Sequence, residues 1–258
     1  MVDLWLHSGS VGIVLISFVV LYAIAALIVW ITHKSPARHY FASCVGIPGP
    51  FFASVAIMFG LFAAFLANDV QRRDAEAQAA VQREADGVRT ILRITEALGP
   101  DAQPVKAAAI RYAQSVLDED LPAMRQRGGA IADDLGALRN LGVAMLAPSF
   151  TASAPIAAQN AMLGGLVSVR AARLARLTLA GDTSAPINWL ATIMLGVLTQ
   201  IAIAVVQLDK VRPQALALFV FTTAFAMTIA LIGLGERPFS GRAIDDSPLR
   251  AAIASATS

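Results

Sequence analysis

The feature that most constrains this chain is a second apolar segment whose helix does not stop where its apolar run ends. From Tyr40 to Asn68 there is no Asp, Glu, Lys, Arg or His. No Pro or Gly lies between Leu61 and Asp86, and the chain passes through Asp69-Val70-Gln71-Arg72-Arg73-Asp74 with helical patterning that lasts to Leu98. An apolar run of this length suffices to cross a hydrocarbon core of about 30 Å. The pattern therefore predicts a membrane helix that continues into water and couples a bilayer segment to a soluble domain, as the wall of a pore or a membrane-coupled sensor requires.

Three other stretches also lack charge: Leu4–Thr32 (His7 apart), Thr183–Leu208 and Pro213–Gly235. Together the four predict transmembrane helices near 11–32, 49–68, 187–207 and 214–234. The chain is 57% hydrophobic and 15% charged, where a soluble domain carries about a quarter charged residues. Four such segments in 258 residues leave too little polar surface to cover them as buried helices of a soluble protein. The first segment has no basic region before it and an apolar core longer than that of a cleaved signal, so it is expected to remain. The one cysteine, Cys44, excludes an internal disulfide and a multi-cysteine zinc site; it reads as a small apolar residue near a membrane end. The formal net charge of +2 says little about partners, and no nucleic-acid partner and no cofactor are expected.

The predicted spans are joined by short links, His33–His39 and Leu208–Arg212, and the pairs flank a polar segment, Asp69–Asp182. The N-terminus, this segment and the C-terminus then share one side of the membrane. Arg72, Arg73, Arg170, Arg173, Arg176, Arg237 and Arg242 lie near span ends on that side, against Lys34, Arg38, Lys210 and Arg212 opposite. The excess of basic residues predicts that this side is cytoplasmic. The expected organisation is transmembrane helices over 1–68, a cytoplasmic helical domain over 69–182, transmembrane helices over 183–235 and a cytoplasmic tail over 236–258. The expected class is an all-α membrane protein with two plus two spans.

The middle segment reads as helix throughout. Val70, Ala77, Val81, Val88 and Ile91 share one stripe at helical spacing. Gly99-Pro100 ends that helix. A second runs from Pro104 to about Asp120, before Leu121-Pro122. Ile131, Leu135, Leu138 and Met145 mark a third. A fourth, near 156–180, carries Leu163, Leu166, Leu174 and Leu177 and ends at Gly181. These narrow, Ala-rich faces are suited to burial against each other or against copies in an oligomer.

No catalytic constellation stands out. His7, His33 and His39 have no carboxylate or cysteine at ligand spacing and read as surface or interfacial histidines rather than a metal site. There is no nucleophile-elbow motif and no Walker-type loop. Gly128-Gly129 and Gly164-Gly165 read as helix interruptions or close-packing points. Arg170, Arg173 and Arg176, at spacing three, read as a solvated basic helix end beside the membrane, with phosphate or lipid headgroups as the sharper alternative. No Asp, Glu, Lys or Arg lies within a span, which argues against proton-coupled transport. Gln200 is expected to bond a neighbouring helix.

The second span holds the candidate site. Ile57, Leu61 and Phe65 fall at i, i+4 and i+8, one line on a helix, and Asp69 is next on that line where the bilayer ends. One reading is a helix-packing surface. The other places this line on the axis of a symmetric oligomer, where rings of bulky apolar side chains form a constriction that gates by dewetting, with Asp69 at the pore mouth biasing it towards cations. Ala53, Ala56, Gly60, Ala63 and Ala64 let neighbouring helices approach closely.

Two regions carry a resemblance. The first runs from Gly49-Pro50-Phe51 through the second span to Val81-Gln82-Arg83-Glu84-Ala85. The second is Gly235-Glu236-Arg237-Pro238-Phe239-Ser240-Gly241, followed by Asp245-Asp246-Ser247-Pro248-Leu249. The sequence resembles the bestrophin-like family of bacterial membrane proteins, distant relatives of the bestrophin ion channels. In bestrophins three apolar neck residues spaced by four precede an arginine eight residues on; Ile57, Leu61 and Phe65 match the neck, and Arg73 the arginine. The aromatic residues that follow it in bestrophins are replaced by Asp74-Ala75. Only Asp245 and Asp246 stand where eukaryotic members carry a longer calcium-binding acidic run. The resemblance implies a homopentamer with a cytoplasm-facing helical domain, set in the bacterial inner membrane among lipids, and an axial pore for small inorganic ions lined by the second spans. The competing functions are a non-conducting membrane scaffold or sensor and, as a weaker third, a membrane enzyme acting on lipids near Arg170–Arg176.

Overall fold

The computed structural model describes residues 9–34, 49–127, 136–182, 184–208, 210–236, 239 and 244–257. His7, Arg38, His39, Cys44, Gly128-Gly129, Ile131, Leu135, Arg237, Pro238, Ser240-Gly241 and Arg242 lie outside these. The described elements are α1 (Gly9–Lys34), α2 (Gly49–Leu98), a 3-10 turn (Gly99–Ala102), α3 (Gln103–Ser115), a π-helical turn (Val116–Asp120), α4 (Leu121–Arg127), α5 (Gly136–Met145), α6 (Pro148–Ser153), α7 (Ile156–Gly181), α8 (Pro186–Val206), α9 (Val211–Gly235) and α10 (Ser247–Thr257). Among the described residues there is no strand. Among the described residues four helices are long and apolar enough to cross a membrane. Three of the predicted spans correspond to α1, α8 and α9, and the remaining one to the first part of α2. As the uninterrupted sequence predicts, α2 is a single helix of 50 residues, about 75 Å long at 1.5 Å per residue. It stops at Gly99, whose φ of 74° is a left-handed conformation that side chains disfavour.

The chain divides into two compact units, Met1–Arg72 with Ser184–Glu236, and Arg73–Thr183 with Arg237–Ser258. In the first, α1 and α9 run together and α8 packs against both. Leu21, Leu66, Val70, Trp189, Phe225, Ala226, Ile229 and Ile232 form its main core. Hydrogen bonds stitch these apolar helices together, as expected where no water competes. Tyr22 Oη lies 2.6 Å from Thr223 Oγ1. Gln200 Nε2 donates to Thr222 Oγ1 at 2.8 Å, so Gln200 does bond a neighbouring helix. Gln214 Nε2 donates to the Ala204 carbonyl at 2.8 Å. Its oxygen therefore accepts from His33 Nε2 at 2.6 Å, which gives the one described histidine a partner within the helix bundle.

In the second unit, Ala77, Val81, Ala85, Val88, Ile91 and Leu92 of α2 are buried with Tyr112, Met124, Leu141, Met162, Val169 and Leu249. The stripe predicted on α2 is the core face. Two expectations are corrected. First, Leu121-Pro122 does not end the helical run. The Leu121 N–H reaches the Val116 carbonyl across a π turn, and Pro122, which has no N–H to satisfy, sits in the first turn of α4. Second, the leucines of α7 do not mark its core face. Leu163 and Leu174 are exposed and Leu166 and Leu177 only partly buried, whereas Met162, Gly165, Val169, Ala172, Arg173 and Arg176 face inward. The physical reason is close approach. A Cβ on Gly165 would stand 2.9 Å from Ile91 Cγ1 and 3.3 Å from the Gly87 carbonyl, and one on Gly87 would stand 2.7 Å from Val169 Cγ2. Leucines would hold α7 away from α2; glycines let the two backbones meet. Gly164, by contrast, faces open space.

Replacing Gly165 by Val is expected to destabilise the protein by about 1–3 kcal/mol, the usual cost of overpacking a filled core. A thermal melt of the purified protein in detergent measures this as a lowered Tm.

Candidate functional site

The upper part of α2 presents two different faces. Ala63, Leu66 and Val70 are buried, and Phe59 and Ala67 pack against the same core. On the opposite face Ile57, Leu61 and Phe65 are 70%, 46% and 62% exposed in the single chain. The three predicted neck residues thus share one open line of bulky apolar side chains. Of the small residues on this segment, Ala63 is buried, while Ala53, Ala56, Gly60 and Ala64 lie on the exposed side.

Asp69, the next residue on the line, behaves differently. Its side chain is 29% exposed and accepts from Arg72 Nη2 at 2.9 Å. Its second oxygen lies 3.2 Å from Ser184 Oγ. The Ser184 hydroxyl is also 3.1 Å from Glu236 Oε2, and the Ser184 N–H donates to Glu236 Oε1. A hydroxyl carries one proton, so it serves one of the two carboxylates at a time. The end of the membrane part of α2 and the residue after α9 therefore meet at one serine, two positions before α8. Gly235 makes this possible, because a Cβ there would stand 2.7 Å from Val70 Cγ1. Glu236, quoted above only as part of a turn motif, is almost wholly buried.

The second unit carries a buried charge network that sequence reasoning missed. Arg173 and Arg176, read as a solvated basic end or a lipid-headgroup site, are instead buried, and only Arg170 of the three is exposed. Arg176 grips Glu84 with Nε to Oε2 at 2.9 Å and Nη2 to Oε1 at 3.1 Å, a bidentate geometry that matches guanidinium to carboxylate. Its Nη2 also donates to Asp120 Oδ2 at 3.0 Å, and Arg173 Nη1 donates to the same oxygen at 2.5 Å. Tyr112 Oη donates to Glu84 Oε1 at 2.5 Å. Two guanidinium and two carboxylate charges cancel, which is the condition for holding them out of water. Burial, with the Glu84 charge beside it, pushes the Tyr112 phenol well above its usual range. Burial works against the charged forms of Arg173 and Arg176, yet the carboxylates outweigh it and both are held above the ordinary guanidinium value. A signal existed: Glu84 falls on the buried stripe of α2, between Val81 and Val88, where a carboxylate demands a partner.

Asp245 and Asp246 are turned to partners of their own. Asp245 accepts from the Ser247 N–H at 2.9 Å, at the start of α10. Asp246 accepts from Arg250 at 3.1 Å, with Arg125 at 3.8 Å. Hydrogen bonds from Ser247 and Arg250 respectively hold the two carboxyls below the usual carboxylate range. Among the described residues no group of three or more His, Cys, Asp or Glu is placed to hold a metal ion.

Two pairs of apolar helices that flank a helical segment in the sequence, with an open apolar line on the second of them, define an all-helical protein with four candidate membrane spans. The chain belongs to the bestrophin-like family, whose Bestrophin-like domain model matches residues 19–248. Solved structures agree on the fold. A point variant of a bacterial bestrophin homologue from Klebsiella pneumoniae is 13% identical and superposes with a TM-score of 0.70 over 97% of this chain and 96% of that one. A structure of the homologue phased with zinc gives 13% identity and a TM-score of 0.68, covering 94% and 95%. A sequence comparison with curated proteins finds no match.

Two predictions follow from the charge network. Arg176→Met strands Glu84 and is expected to cost about 3–5 kcal/mol, whereas adding Glu84→Leu restores much of it, because a neutral apolar pair needs no compensation; denaturant unfolding of single and double variants measures both. The raised Tyr112 phenol stabilises the folded state fully below its unfolded value of about 10, and this contribution is lost as pH rises from there towards the folded value. Unfolding followed from pH 8 to 12 is expected to show an alkaline loss of stability that is smaller in Tyr112→Phe, measured from that variant's own neutral-pH baseline.

Proposed function

We propose that the protein is an oligomeric bestrophin-like ion channel. It conducts ions passively through an axial pore whose apolar neck is formed by Ile57, Leu61 and Phe65 of α2. The observation that carries this reading is the open line of those three side chains on a helix whose opposite face carries Ala63, Leu66 and Val70 into the core. Repeated around an axis, the line becomes three stacked apolar rings, a constriction that gates by wetting and dewetting. Bestrophins are a channel family, which is consistent with it.

Self-association has separate support in the second unit. Ile156, Leu163, Val167 and Leu174 are exposed there, outside the predicted spans and on one face of α7 by their spacing, and an apolar face of that kind favours a protein partner. On another face of α7, Ala161, Gly164, Ser168 and Ala171 line a shallow groove with Gly87 and Thr90 of α2. This apolar face and the groove are different patches, so a contact between them is heterologous, the type that builds a ring where its rotation closes. A pentamer in the bacterial inner membrane, with both termini and the second unit on the cytoplasmic side, completes the proposal. Asp69 stands at the pore mouth, and its pairing with Arg72 offsets the charge it brings.

Planar-bilayer recordings on the purified protein test this. Wild type is expected to pass current, and the combined Ile57→Ala, Leu61→Ala, Phe65→Ala variant to pass more. Silence from both overturns the channel reading and leaves a non-conducting scaffold or sensor.

A further inference from the structure

Two completely buried glutamines lie in the apolar bundle of the first unit, Gln200 on α8 and Gln214 on α9. Gln214 is satisfied at both ends of its amide. Its Nε2 donates to the Ala204 carbonyl at 2.8 Å and to Thr32 Oγ1 at 3.4 Å, and its Oε1 accepts from His33. Gln200 is satisfied at one end only. Its Nε2 donates to Thr222 Oγ1 at 2.8 Å, while its Oε1 meets no donor among the described residues. A buried acceptor left in this state gives up its water without replacement.

Thr222 departs from its neighbours in a matching way. The helices α8 and α9 contain five threonines. Thr192, Thr199, Thr223 and Thr228 each donate to the carbonyl four residues earlier, at 2.7 or 2.8 Å, the usual use of a hydroxyl proton inside an apolar helix. The Thr222 oxygen is instead turned to α8, where it accepts from Gln200, and among the described residues its own proton is given to no acceptor. Thr222 is also completely buried. One enclosed pair thus holds an unmet acceptor, Gln200 Oε1, beside an unspent donor, the Thr222 hydroxyl. Turning the amide round does not repair this. Thr222 would then donate to Oε1, and both amide N–H groups would be left over.

We infer that the Gln200–Thr222 pair is a binding site for a single water molecule inside the membrane bundle. The ligand must donate to Oε1 and accept from the hydroxyl, so it carries both functions. It is neutral, because Thr183–Leu208 and Pro213–Gly235 contain no charged residue to balance an ion and a lone buried charge is costly. It is small, because the pair is wholly enclosed and protein interiors seldom hold a gap larger than one water. Water meets all three conditions. It closes a ring of three hydrogen bonds, from Nε2 to Oγ1, from the hydroxyl to water and from water to Oε1, and so makes a polar joint between α8 and α9. The site lies within one chain and does not depend on the channel reading.

A structure of the full-length protein in lipid nanodiscs, at a resolution that shows ordered water, tests this. Wild type is expected to show one isolated peak at about 2.6–3.2 Å from both Gln200 Oε1 and Thr222 Oγ1. Gln200→Leu removes the amide, and Thr222→Val removes the hydroxyl while keeping the side-chain shape; the peak is expected to be lost in the double variant. Should that variant fail to fold, the wild-type map decides alone. A resolved Gln200 amide with no peak beside it, a density larger than one water, or a peak that persists in the double variant overturns the inference.

Discussion

Arg176 cannot be buried alone. A guanidinium stripped of water demands opposite charge and saturated hydrogen bonding, and most of the second unit can be read as the means of supplying them. Glu84 comes from α2, Asp120 from the π turn, Tyr112 from α3 and Arg173 from one turn earlier on α7. The glycine contacts between α2 and α7 bring the two helices close enough for a bidentate bond of 2.9 and 3.1 Å. The wider π turn places Asp120 where it meets both arginines. π turns interrupt α-helices at a cost and tend to occur where a side chain must be aimed; here the side chain is a carboxylate serving two cations.

This explains what was legible in the sequence and what was not. Four charge-free runs and an uninterrupted α2 announce themselves because bilayer crossing leaves a compositional trace over some twenty residues. The core stripe of α2 is legible for a similar reason, since Val70, Ala77, Val81, Val88 and Ile91 repeat at helical spacing. The orientation of α7 was not legible. Leucines at helical spacing look like a core face, and arginines at spacing three look like a solvated one, yet the two are exchanged. Periodicity reports that a helix has faces, not which face meets a partner. That choice was made by Gly165, Ala172 and the carboxylates waiting on other elements, a long-range matching that a local reading does not see. The line Ile57-Leu61-Phe65 was readable as a line, and its exposure in the single chain agrees with a surface left for something outside the chain. Glu236 and Ser184 left no local signal, because their meeting with Asp69 joins residues more than a hundred positions apart.

The membrane part of α2 is held differently from the rest of that helix. Its apolar packing includes aromatic rings, and its end carries a polar anchor. Behind Ile57 and Leu61 the contact is Phe59 on Phe221 and Phe225. One helical turn past Phe65 it is Asp69, shared between Arg72 and Ser184. The two anchors differ in kind. Aromatic contact is broad and tolerates small rotations, whereas the carboxylate is fixed by donors at about 3 Å.

These two anchors bound the motions open to the proposed neck. Phe65 lies four residues from Asp69, and its position is tied to that of the carboxylate. Ile57 and Leu61 flank Phe59, and their position follows the rings. A helix without Pro or Gly between Leu61 and Asp86 resists a local bend below Leu61; Gly60, with open space around it, is the one break in that stiffness within the neck. In the proposed channel the Ile57 and Leu61 end of the neck is therefore the freer one and the Phe65 end the more tightly held.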